Sequence, residues 1–143
     1  MNLIYREEVY GIIGACFEIY NELGSGFLED VYQEAHEREF AIRSIPYLPK
    51  PNLGIFYQGS LLRKKYEPDF VLHSKIILEI KALKALNDDH RSQVQNYLIA
   101  SLYQVGLLAN FGKPQELEYE RIVRTQSFSK DSLDSRDSRS LTL

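Results

Sequence analysis

"EPDFVLHSKIILEIKA" (Glu67–Ala82) joins a short apolar run ending at Leu72 to an almost wholly apolar one from Ile76 to Ile80. His73 and Ser74 suit the tight turn of a β-hairpin between the two. Side chains alternate along a strand, so Ile76, Leu78 and Ile80 point one way and Ile77, Glu79 and Lys81 the other. Glu79 and Lys81 therefore stand side by side, and the first strand brings Asp69 opposite Glu79. Charged groups are seldom buried unless paired or bound to something. Two neighbouring carboxylates repel unless a cation or a shared proton intervenes. A hard divalent ion held through oxygen, Mg²⁺ or Mn²⁺, suits such a pair, and a Lys beside it holds a water or an anionic oxygen. The alternative is a solvated face with weak ion pairs.

Two helices are expected before this hairpin. Val9, Ile12, Ile13, Cys16, Phe17, Tyr20 and Leu23 recur at helical spacing, so residues 4–23 read as an amphipathic helix that "GSG" (Gly24–Gly26) ends. A second helix spans about residues 27–43, with Leu28, Val31, Tyr32, Ala35 and Phe40 on its packing side. Pro46, Pro49 and Pro51 then forbid helix and mark a loop or irregular edge segment. "GIFYQ" around Ile55 reads as a strand. After the hairpin, Asn87 and Asp88 suit the start of a third helix, about residues 89–103. "VGLLANF" reads as a buried strand and "LEYERIVR" as an outer one. The expected order is ααβββαββ, an α/β domain with a mixed central sheet flanked by helices.

The chain has 143 residues, 44% hydrophobic and 26% charged, enough for one domain with a real core. Its formal charge of −3 gives no global positive field toward nucleic acid or anionic membrane, so a polyanionic partner needs a local basic patch or a bound metal. Cys16 is the only cysteine, which excludes an intrachain disulfide and a cysteine zinc cluster. The first residues lack the pattern of a signal peptide, and no apolar run approaches a membrane span. A cytoplasmic single-domain protein is expected. Its folded domain would cover residues 1–125, and the Ser-, Asp- and Arg-rich stretch 126–143 would be a disordered tail. "RKK" (Arg63–Lys65) is the one tri-basic run, either a solvated face or a hold on a phosphate backbone.

"PDF…LEIK" has the form P-D-x9-E-x-K, and in this it resembles the PD-(D/E)XK nuclease superfamily. "GFLEDVY", with Gly26, Glu29 and Tyr32, looks like the pattern of one bacterial branch, the GxxExxY proteins. "QVQNY", with Gln93 and Tyr97, is similar to the Q-x-x-x-Y helix of exonuclease members. The resemblance implies a restriction-endonuclease-like core and a metal-dependent nuclease of nucleic acid, with DNA as the first expectation for its substrate. It implies Asp69, Glu79 and the carbonyl of Ile80 as ligands of Mg²⁺ or Mn²⁺, with Glu29 in the outer part of the site. Lys81 would orient water and meet charge on the phosphate, and Gln93 would position these groups. Arg63, Lys64, Lys65 and Tyr97 are weaker candidates for nucleic-acid contact. Taken singly, Tyr32 and Tyr97 read as core, Glu29 as a first-turn acid, and His90, a turn before Gln93, as a solvated helix start. The other reading is a catalytically silent module binding nucleic acid or a protein. A homodimer, or a partner supplying specificity, fits either.

Overall fold

The apolar run after Lys75 becomes the central strand of a five-stranded sheet. In the computed structural model, which describes residues 3–125, the chain runs α1 (Arg6–Leu23), α2 (Glu29–Ile42), β1 (Tyr47–Pro49), β2 (Leu53–Tyr57) and β3 (Ser60–Tyr66). It continues through β4 (Phe70–Leu72), β5 (Ile76–Lys81), α3 (Asp88–Ser101), β6 (Val105–Asn110) and β7 (Glu118–Val123). The sheet order is β1-β4-β5-β6-β7, with β5–β6 parallel and the other pairs antiparallel. A parallel neighbour needs a crossover, and α3 provides it. β2 and β3 form a separate two-stranded ribbon. The segment expected to be a disordered tail lies outside the described residues, and with it the boundary after Thr125.

Alternation along β5 sorts the core into two layers. Ile76, Leu78 and Ile80 pack with Ile12, Cys16 and Ile19 of α1 and Tyr32 and Phe40 of α2. Ile77 packs on the other face, with Val71, Leu108 and the α3 residues Val94, Tyr97 and Leu98. Each fully buried Ile or Leu contributes roughly 1.5–3 kcal/mol, against about 0–1 kcal/mol for an exposed ion pair. The two apolar layers, not the surface charges, hold the sheet. Gly106 lets α3 lie close, since a Cβ there would sit 2.6 Å from Val94 Cγ1.

Local signals set the helix ends. Gly24, at φ 68°, closes α1, and its N–H donates to the Tyr20 carbonyl at 2.8 Å. Asn87 caps α3 by accepting from the Asp89 and His90 amides, and the His90 ring accepts from the Asn87 amide at 3.0 Å. His90 is therefore occupied by the cap. His73 and Ser74, both left-handed, make the turn between β4 and β5.

The structure corrects the expected order in one respect: five strands precede α3, not three. β1 is only three residues of a proline-bearing segment, confined to the sheet edge. β3, "SLLRKKY", is exposed along nearly its whole length, so no apolar alternation betrayed it. Leu28 and Val31 also differ from expectation. They are exposed at 77% and 39%, because α2 turns Tyr32, Gln33, His36 and Phe40 inward. Among the described residues no helix is long and apolar enough to cross a membrane.

Candidate active site

The pairing of Phe70 with Leu78 sets Asp69 against Glu79 just past the last rung of the β4–β5 ladder. The Asp69 amide donates to Glu79 Oε1 at 3.2 Å, and the Ile80 amide donates to Asp69 Oδ2 at 2.7 Å. Both residues are nearly buried, at 9% and 5% exposure. Lys81 Nζ lies 3.4 Å from Glu79 Oε2, and Lys50 Nζ lies 3.4 Å from Asp69 Oδ1. Burial, then the Asp69 charge, push the Glu79 carboxyl well above the usual carboxylate range; Lys81 and the Asp69 amide pull it back. Two acids share a poorly solvated corner, and their lysines offset only part of the cost.

Asp69, Glu79, Ile80 and Lys81 thus meet at the open end of the hairpin. Gln93 and Tyr97 approach from α3, which covers that face of the sheet. The Tyr97 phenol is raised by burial first and then by the charges of Glu79 and Asp69, while the Gln93 side chain beside it acts the other way. Tyr97 is therefore both core and neighbour of the acid pair. Glu29 is placed differently. It opens α2, which packs on the opposite layer, and is exposed. From that helix it is Gln33, one turn on, whose amide reaches the Asp69 carbonyl at 3.2 Å. Among the described residues no group of three or more His, Cys, Asp or Glu is arranged to hold a metal. Arg63, Lys64 and Lys65 lie on the exposed strand β3, and Lys64 and Lys65 line a groove of ≈ 430 Å³ against α3.

Lys50 and Gln33 escaped the sequence reading. Lys50 sits between two prolines, at a left-handed φ of 46°, and its amide donates to the Asp69 carbonyl at 2.9 Å. Nothing in a proline loop signals that its lysine will meet an acid far along the chain. Gln33 had a weak signal: it follows Glu29 by four residues, on the same helix side.

A sequence profile of the PD-(D/E)XK nuclease superfamily matches residues 6–122. The chain belongs to this superfamily. The profile takes in everything from α1 to β7, so the nuclease-superfamily fold is the whole described domain. Among solved structures, the crystal structure of SSO0001 is similar at a TM-score of 0.56 and 16% identity. The likeness covers 96% of this chain and 65% of that one, and at this identity it speaks for the fold alone. No curated protein matches.

Proposed function

We propose that this protein is a divalent-metal-dependent nuclease of the GxxExxY branch, hydrolysing phosphodiester bonds of nucleic acid, DNA before RNA, in the cytoplasm. The supporting observation is the buried Asp69–Glu79 pair with Lys81 at 3.4 Å. Two structural ion pairs could stand apart; here their two acids are brought against each other in spite of the cost.

The residues present fit Mg²⁺ or Mn²⁺. Asp69 and Glu79 supply hard oxygen donors, and repulsion between them is what a divalent charge would relieve. In an extended strand a residue's N–H and C=O face the same neighbour. The Ile80 amide faces Asp69, so its carbonyl is aimed at the same edge. Asp69, Glu79 and Ile80 would hold the ion, and Glu29 would act only through water. Bound there, the ion would polarise the phosphate and lower the pKa of a water. The Lys81 side chain would donate to the phosphate oxygen on which charge develops. Gln93 would position Lys81 or the attacking water. The basic residues of β3 would grip the phosphate backbone, Lys64 and Lys65 from the groove and Arg63 further out. Cutting both strands of a duplex with one domain this small would call for a second copy or a partner.

Labelled single- and double-stranded DNA and RNA, incubated with the protein in Mn²⁺ or in EDTA, test this reading. Metal-dependent cleavage that Lys81→Met abolishes is expected; no cleavage of any of the four sinks it. One observation favours a second reading, a silent binding module: each acid already has a lysine 3.4 Å away without metal. In that case nucleic acid or a protein binds with no hydrolysis, and Mn²⁺ leaves stability unchanged.

A further inference from the structure

The groove between the ribbon and α3 has walls of opposite character. Lys64 and Lys65 line it from the ribbon, and by alternation Lys64 shares the ribbon face of Tyr66. Ser92, Gln93 and Asn96 line it from α3, neutral groups that donate and accept. Glu67 and Asp89 also lie along it. Tyr66, partly exposed, meets Tyr97 edge-to-face with ring centroids 5.5 Å apart. Glu67 lines the groove two residues before Asp69, and Gln93 and Tyr97 line it from the helix that covers the Glu79 face of the sheet.

We infer that this groove receives one unpaired strand of nucleic acid, not an intact duplex, and leads it to Asp69 and Glu79. The inference rests on the nuclease reading above and specifies its substrate. A duplex presents two phosphate backbones, but only one wall here is basic. Its second strand would face Glu67 and Asp89, and a chain of net charge −3 supplies no wider field to compensate. An unpaired strand exposes base edges to amide and hydroxyl groups, and here these are Ser92, Gln93 and Asn96. It also exposes base faces, for which a tyrosine beside a basic track is the usual platform. Tyr66 takes that part, backed by Tyr97.

Fluorescence anisotropy tests this with one labelled oligonucleotide, presented single-stranded or annealed to its complement, in EDTA so that nothing is cut. The single strand should bind about tenfold more tightly than the duplex. Lys64→Ala/Lys65→Ala should flatten the slope of log affinity against log salt by about 1.4, for two lost phosphate contacts. Arg38→Ala, on α2 away from the groove, should leave the slope unchanged. Duplex binding as tight as single-strand binding, an unaltered slope in the double variant, or no binding at low salt would each overturn the inference. The nuclease reading answers to the cleavage assay instead. Duplex cleavage by a protein that prefers no single strand would keep that reading and discard this one. Single-strand binding without cleavage would do the reverse.

Discussion

Asp69 and Glu79 are tied to each other's strands: the Asp69 amide donates to Glu79, and the amide following Glu79, that of Ile80, donates to Asp69. The pair is thus held in place by backbone rather than by its lysines, and repulsion cannot simply swing the acids apart. A site organised in this way stores a cost that a bound cation would relieve.

Metal should therefore stabilise the fold through these two residues. At free Mn²⁺ about ten times its dissociation constant the gain is about 1.4 kcal/mol, or roughly 4 °C in Tm. Asp69→Asn and Glu79→Gln should lose most of this shift, whereas Arg63→Ala should keep it. Asn is the informative replacement for Asp69, because Ala would leave the buried Ile80 amide without its acceptor. Equal shifts in wild type and Asp69→Asn, read by differential scanning fluorimetry, would remove the metal site.

Glu79 should cost the metal-free protein stability as pH rises. The Glu79 carboxyl is raised in the fold, so the unfolded chain gives up this proton at lower pH than the folded one. Stability from this group is full below the unfolded value of about 4.5 and is lost as pH rises through the higher folded value. Measured against Glu79→Gln, the wild-type urea midpoint in EDTA should fall from pH 5 upward. A wild-type midpoint that climbs relative to Glu79→Gln would show Glu79 to be an ordinary ion-paired carboxylate.

Most of this site was written locally, and the rest was not. Asp69, Glu79 and Lys81 lie in one hairpin, where the period of two and a short turn fix their relations, so their meeting was legible. Gln93 and Tyr97 were legible because a single capped helix covers that face. Glu29 carried a motif but no such local constraint. Its position depends on how α2 crosses the sheet, and the structure leaves it exposed while Gln33 reaches inward. Lys50 depends on pairing across the sheet edge at β1, a contact that no periodicity encodes. The ribbon was half seen, because β2 is apolar and β3 carries charge where a strand pattern would show.

A second pH effect runs in the opposite direction, on the other face of the sheet. His36 is fully buried, its Nδ1 2.6 Å from the Tyr32 carbonyl and its Nε2 3.6 Å from Cys16 Sγ, with Phe40, Phe70 and Phe111 around the ring. Burial lowers its pKa to about 4, against the hydrogen bond to Tyr32. The unfolded chain then takes up a proton near pH 6.5 that the folded protein refuses. Stability is full above that value and falls as pH drops toward about 4, by up to roughly 3 kcal/mol. His36→Leu should flatten the decline in urea midpoint between pH 6.5 and 4. An equal decline in the variant would assign the acid sensitivity to other groups.

The end of β5, and with it Lys81, is braced by a glycine. Phe111 N–H donates to the Lys81 carbonyl at 2.7 Å, and the Asn110 side chain both accepts from the Leu83 amide and donates to the Leu83 carbonyl at 2.9 Å. Directly after them, Gly112 lies so close that a Cβ would fall 2.2 Å from the Leu83 nitrogen. That neighbour is backbone and cannot step aside as a flexible side chain would, so Gly112→Ala must move the segment that follows Lys81. Overpacking of this kind costs about 1–3 kcal/mol or more, or roughly 3 °C in Tm for each kcal/mol. Cleavage should fall further than the lost fold accounts for, since the displaced chain carries the lysine. Gly11→Ala, where a Cβ meets nothing within 4 Å, should leave both Tm and cleavage near wild type. If Gly112→Ala melts like wild type, the brace is not rigid, and the position of Lys81 must be set by its contact with Glu79 instead.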